Sequence, residues 1–292
     1  MHVLVTGSSG QLGREIVRQL RQAAHHVVGA DVLPALTTDH LLDIRDKAKV
    51  RAATRGMDAI IHTAAVHGKQ YAVGYPREAF TGTNIDGTLH LLEACVAHGI
   101  RKFLYTSTTS IYGHAMAHPR RAVWVDEALP PDPRDIYDIT KLTAELLCRD
   151  FFEKEGVQAT VLRVSRFLPE PENTVAVHRL YRGLDERDGA RAHLLALEKD
   201  FDRLEVFNVS AKSPFGKADL EGLKTDPKEV IKKYYPDVEP VFAARQWAFP
   251  QSIDRVYAVD KAERLLGYAP QYNFRECLHS QSGDAIASVD LL

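Results

Sequence analysis

The chain has 292 residues, of which 45% are hydrophobic and 26% charged, with a formal net charge of -2. That length supports a sizeable core, and that balance excludes both a disordered chain and a basic surface for nucleic acid or an anionic membrane. Cys95, Cys148 and Cys277 are scattered, forming neither a disulfide framework nor a CxxC zinc pair, and the histidines show no HExxH-type spacing, so no metal is expected.

In chain order, short apolar β-prone runs alternate with longer helical patterns. Strands are predicted at 3–6, 27–31, 59–62, 102–106 and 159–164, and helices over 11–23, 46–54, 76–98 and 137–155, each with apolar residues at i, i+3 and i+4. Such alternation predicts an α/β fold, a Rossmann-like doubly wound parallel sheet, over residues 1–165. The first strand begins at the third residue, leaving no room for a signal peptide, and no apolar run reaches the roughly 18 residues of a membrane span. A soluble, cytoplasmic protein with no nucleic-acid or membrane partner is expected. Beyond Pro169, closely spaced prolines break the chain into short pieces, predicting a small C-terminal α/β lobe over 166–292 whose chain interleaves with the first domain. Its predicted elements are helices over 186–199, 226–234 and 259–266 and a strand at 204–209.

Gly7-Ser8-Ser9-Gly10-Gln11-Leu12-Gly13 follows the first strand and opens the first helix. Glycines at this spacing allow a tight turn, close approach to a pyrophosphate and close helix–strand packing, and the helix N-terminus adds free N–H groups. Gly7, Ser9, Gly10, Gln11, Leu12 and Gly13 are therefore candidate dinucleotide contacts. Asp31, at the end of the second strand, stands where a carboxylate accepts hydrogen bonds from the adenosine ribose and repels a 2′-phosphate, which favours NAD over NADP; the alternative is an Asp that only starts the turn before Pro34.

Tyr137 and Lys141 are at i and i+4, on one face of one helix. A fixed cation near a phenol favours the phenolate, so Tyr137 is a candidate general acid/base tuned by Lys141, which would also hold the nicotinamide ribose; the alternative is a half-buried Tyr beside a solvated Lys. The hydroxyl-rich run from Thr106 to Gly113 ends the fourth strand, at the sheet edge where open α/β sheets bind ligands.

Together these motifs resemble the extended branch of the short-chain dehydrogenase/reductase superfamily, the NAD-dependent sugar epimerases and dehydratases. Gly7, Gly10 and Gly13 match its GxxGxxG, Asp43-Ile44 its adenine-side pair, His62-Thr63-Ala64-Ala65 its HxAA strand end, Asn84 to Thr88 its NxxGT, and Thr106 to Gly113 its STSxxYG. The resemblance implies NAD as cofactor, with Asp43, Ile44, Thr63, Ala64, Ala65, Asn84, Thr106, Tyr137 and Lys141 beside it. Ala64 and Ala65 would be small because the cofactor passes close, and Asn84 would stabilise a central bend. The resemblance also places Thr108 as the catalytic hydroxyl beside Tyr137 and Lys141, and implies a homodimer through a four-helix bundle built from 84–98 and 137–155.

For the substrate, the candidates are His67, Lys69, Thr108, Thr109, Ser110, Arg166, Arg245 and Arg255. Thr109 and Ser110 occupy the positions of the acidic pair of the 4,6-dehydratases, which disfavours dehydration. Arg166 stands where members like UDP-galactose 4-epimerase have an Asn, while residues 163–173 resemble the strand end and PEP loop of uronate dehydrogenases. Its guanidinium is either a clamp for a carboxylate or phosphate, or half of an ion pair; His67 is either a loop histidine or a substrate contact. The expected function is an NAD-dependent sugar epimerase working through a keto-sugar, at C4, with a nucleotide sugar as a candidate substrate. Behind it stand an NAD-dependent dehydrogenase of a free sugar or sugar acid such as a uronate, and a catalytically silent NAD-binding regulator.

Overall fold

The computed structural model describes residues 1–279, so 280–292 of the expected second lobe lie outside the described residues. β1 (His2–Thr6) runs through the glycine turn into α1 (Gln11–Gln22), whose Leu12, Ile16, Val17 and Leu20 fall on one face and are buried. β2 (His26–Asp31), β3 (His40–Leu41), α2 (Lys47–Ala53) and β4 (Ala59–His62) follow. Next come α3 (Gly68–Ala72), α4 (Arg77–Phe80), a π-helical turn at Thr81–Asp86, α5 (Gly87–His98) and β5 (Lys102–Thr108). A 3-10 segment, Thr109–Met116, leads to β6 (Val123–Val125), α6 (Ile136–Glu155) and β7 (Gln158–Val164). The remainder comprises α7 (Glu172–Arg179), α8 (Glu186–Leu197), β8 (Glu205–Val209), α9 (Leu220–Thr225), α10 (Pro227–Tyr234), α11 (Val238–Ala244), β9 (Arg255–Tyr257), α12 (Asp260–Leu266) and α13 (Phe274–His279).

Seven strands pair in parallel in the order β3-β2-β1-β4-β5-β7-β8. Strand order reverses between β1 and β4, and the carboxyl ends of strands flanking such a reversal form the ligand crevice of open α/β sheets. One face is covered by α1, α8 and α12 through Ile16, Leu20, Leu194 and Leu266, and the other by α2, α5 and α6 through Val50, Leu91, Ala144 and Cys148. A third apolar cluster joins α7, α9, α10, α11 and α13 through Val177, Leu223, Ile231, Phe242 and Phe274. Beside it, β6 and β9 form a two-stranded parallel sheet.

Two expectations are corrected. The strand at 204–209, assigned by sequence to the second lobe, is β8, which pairs with β7 along the edge of the main sheet because Phe207 and Val209 complete the core under α1 and α8. The helix expected over 76–98 is interrupted at Thr81–Asp86, where the Asn84 side chain bonds a distant segment and the winding loosens to accommodate it. Among the described residues no helix is long and apolar enough to cross a membrane, and no cluster of His, Cys, Asp and Glu is arranged to hold a metal ion.

Candidate functional site

The glycine turn is packed so closely that Gly7 and Gly13 have no room for a side chain. Gly7 has φ 74°, and a Cβ there would lie 2.5 Å from Thr63 Oγ1 and 2.6 Å from Ala64 N; a Cβ on Gly13 would lie 2.0 Å from the Gly7 carbonyl oxygen. Thr63 closes the seam from β4, its hydroxyl donating to Thr6 O at 2.7 Å. At Gly10 no side chain caps α1, and its first turn holds no acidic residue. Asp31 ends β2 over this turn and accepts from Ser9 N at 3.0 Å and Leu33 N at 3.1 Å. A tight glycine turn, an uncapped helix N-terminus and a carboxylate beside them fit the pyrophosphate and ribose of a dinucleotide. Asp43 pairs with Arg45 at 2.6 Å, which holds its carboxyl below the usual range, while Ile44 is buried against Gly87.

Asn84 and His62 act as internal clamps. Asn84 Oδ1 accepts from Val66 N at 2.8 Å, and its Nδ2 donates to Val66 O and to Thr140 Oγ1, each at 3.0 Å. The loop after β4 is thereby tied to both the π turn and α6. Thr88 donates to Asn84 O, so His62 donates from Nε2 to Thr88 and accepts from Thr6 at Nδ1, a tautomer assigned from these partners. Asn84, expected beside the cofactor, thus spends its polar atoms inside the protein.

Thr108 ends β5, and Tyr137 lies in the first turn of α6, set by Asp135 Oδ1 accepting from Asp138 N at 2.9 Å. Tyr137 is 7% exposed, and Thr108, whose Oγ1 accepts from Ser110 N at 3.1 Å, lies close enough to its phenol to oppose the upward push of burial. Lys141, one turn later, donates from Nζ to Thr106 O at 2.6 Å and lies 4.3 Å over the Tyr105 ring. His67 tilts its ring against Tyr137, 4.8 Å between centroids, and is pushed down to about 4 by burial and by the charges of Lys141, Lys69 and Arg166. It is therefore a neutral wall of the site at neutral pH.

The electrostatics differ from the expectation that Lys141 lowers Tyr137. Burial pushes the phenol above its usual range with Thr108 opposing, and burial pulls Lys141 down to about 7. The hydrogen bond to Thr106 and the Tyr105 ring hold the ammonium on the strand.

The structure separates the remaining candidates. Thr106 gives its carbonyl to Lys141, but its hydroxyl bonds His193 Nε2 at 2.8 Å on α8. Thr109 is buried, and Ser110 Oγ accepts from Arg134 Nη2 at 3.1 Å. Lys69 N donates to His67 Nδ1 at 3.2 Å. Arg166 is near enough to act on His67, yet its guanidinium pairs with Glu170. Arg245 binds Glu172 and the carbonyls of Cys277 and Leu278, clamping α13, and Arg255 pairs with Asp254 and donates to Met116 Sδ at 3.1 Å. Sequence reasoning passed over Glu145, whose signal was the Tyr137–Lys141 spacing continued by one more helical turn.

A doubly wound sheet with a tight glycine turn before its first helix and a Tyr-Lys helix face defines a dinucleotide-dependent α/β protein. The chain belongs to the NAD dependent epimerase/dehydratase family, whose model matches residues 3–180, and NAD, expected from the glycine turn and Asp31, is the cofactor of that family. A uronate dehydrogenase of Pseudomonas syringae pv. tomato is 28% identical over 59% of this chain and 61% of its own length. UDP-glucose 4-epimerase 4 of Oryza sativa subsp. japonica is 34% identical over 55% of this chain and 47% of its own. The match thus spans less than two thirds of either relative. A short-chain dehydrogenase/reductase superfamily protein from Agrobacterium tumefaciens, solved with bound NAD, shares the fold with a TM-score of 0.72 at 21% identity, covering 95% of both chains.

Proposed function

We propose that the protein is an NAD-dependent sugar epimerase that oxidises a carbinol carbon, C4 in our reading, to a ketone and reduces it again on the other face, with a nucleotide sugar as substrate. The observation that carries this is the convergence of Thr108, Tyr137 and Lys141 at the carboxyl end of β5, beside the point where strand order reverses. When bound, NAD supplies the hydride acceptor and donor. The glycine turn would hold its pyrophosphate, Asp31 its adenosine ribose and Lys141 its nicotinamide ribose.

Tyr137 Oη takes the proton of the sugar hydroxyl during oxidation and returns it during reduction, while Thr108 Oγ1 shares the hydrogen bond and fixes the oxygen. Burial keeps Tyr137 protonated by default, which suits the reducing half; the oxidising half needs positive charge nearby, and Lys141 is on the same helix face. The 34% identity to a UDP-glucose 4-epimerase supports this reading.

A second reading, oxidation of a sugar acid such as a uronate, is supported by the positive charges of Lys69 and Arg166 acting on His67 beside Tyr137, which would attract a carboxylate. Tyr137→Phe tests both readings: turnover should fall by about three orders of magnitude, as loss of general acid/base transfer allows, with NAD affinity kept. Near-wild-type turnover would defeat the role given to Tyr137 in both readings, whereas a wild type that binds NAD and turns over no sugar would favour an NAD-binding regulator.

A further inference from the structure

Lys141 occupies a place that disfavours its charge. It is 3% exposed and packed on the Tyr105 ring, its Nζ meets the Thr106 carbonyl, and burial brings it down to about 7. The groups acting on it or sensing it come from every side: Glu145 and Cys148 on α6, Tyr105 on β5, His62 at the end of β4 and His67 beyond it, with Tyr137 one turn before. Burial keeps Tyr105, Tyr137 and Cys148 protonated and both histidines neutral. Among these groups the negative charge is that of Glu145.

Glu145 follows Lys141 by one turn on the same face of α6 and is 5% exposed. Arg163 grips it with Nε to Oε1 at 3.0 Å and Nη2 to Oε2 at 2.7 Å, and the Ser107 hydroxyl donates to Oε1. Ser107 sits between Thr106 and Thr108 on β5, so the carboxylate is fixed to the strand that Lys141 and Tyr137 both touch. A bidentate guanidinium sets its orientation, and low dielectric lets a fixed charge act over one helical turn.

We propose that Glu145 is a positioning residue for the reaction: anchored by Arg163 and Ser107, its carboxylate keeps Lys141 charged and so sets the pH range in which Tyr137 can exchange a proton. This rests on the roles proposed above for Lys141 and Tyr137, and its test includes a readout that needs no turnover. In protein labelled with 13C at lysine Cε, the Lys141 signal, assigned by its loss in Lys141→Arg, is followed by NMR from about pH 5 to about pH 10, a range spanning the titration of free lysine. Glu145→Gln should lower the Lys141 midpoint by at least about half a pH unit, a threefold or greater loss of proton affinity, and Glu145→Asp should hold it near wild type. The high-pH limb of kcat/KM should move to lower pH by the same amount. If the unpaired Arg163 prevents folding of E145Q, the double variant Glu145→Gln with Arg163→Met removes both charges, and the Lys141 midpoint should still fall, by less than in E145Q because the cation is lost with the anion. A shift under about half a pH unit in folded E145Q, or no fall in the double variant, overturns the proposal. A full shift together with normal turnover in Tyr137→Phe would leave the coupling standing and defeat the proposed function instead.

Discussion

His62, at the end of β4, and His193, on α8, are imidazoles enclosed by the core. Both are fully buried between hydroxyl or carbonyl partners, and burial pushes His62 down to about 3 and His193 to about 4. The unfolded chain protonates such residues near pH 6.5, so between about pH 6.5 and 4 it binds more protons than the folded chain, and stability falls as pH falls. From pH 7 to pH 5 each should cost about 2 kcal/mol in urea denaturation, and His193→Gln should flatten the slope by that amount; an unchanged slope would contradict the assignment. The phosphate turn and the Tyr137–Lys141 face were legible because residue type and spacing alone carry the chemistry. Arg166, Arg245 and Arg255 were not, because a sequence shows a cation without its partner, and Glu170, Glu172 and Asp254 supply the partners here.

At the scale of elements, buried parallel strands were legible from their continuous apolar runs, and β4 falls at the predicted 59–62. β3, β6 and β9 span two or three residues, too short to show a period. The π turn was hidden for a different reason: its cause is Asn84 reaching Val66, 18 residues away, and Thr140, 56 residues away. Asn84→Ala leaves the Val66 amide and carbonyl and a Thr140 lone pair without partners, and should destabilise the fold by about 2–4 kcal/mol by urea denaturation. Thr140 also donates to Tyr137 O, so kcat should fall with it, whereas a surface asparagine would change neither.

For the whole molecule, strand order and core were set by contacts between distant segments, which is why β8 was predicted as a strand and misplaced as to sheet. Val96 on α5 and Ile139 and Leu146 on α6 are 44%, 49% and 52% exposed, and we propose that a second copy of the chain covers these apolar side chains in a homodimer. Light scattering should show a dimer and Leu146→Glu a monomer; a monomeric wild type would contradict this. The central claim is tested most directly by supplying NAD with a panel of UDP-sugars, free sugars and uronates and following NADH and sugar configuration together. The account predicts interconversion of two sugars that differ at one carbinol carbon, with no net NADH. Steady NADH accumulation with a sugar acid, and no interconversion, would contradict it.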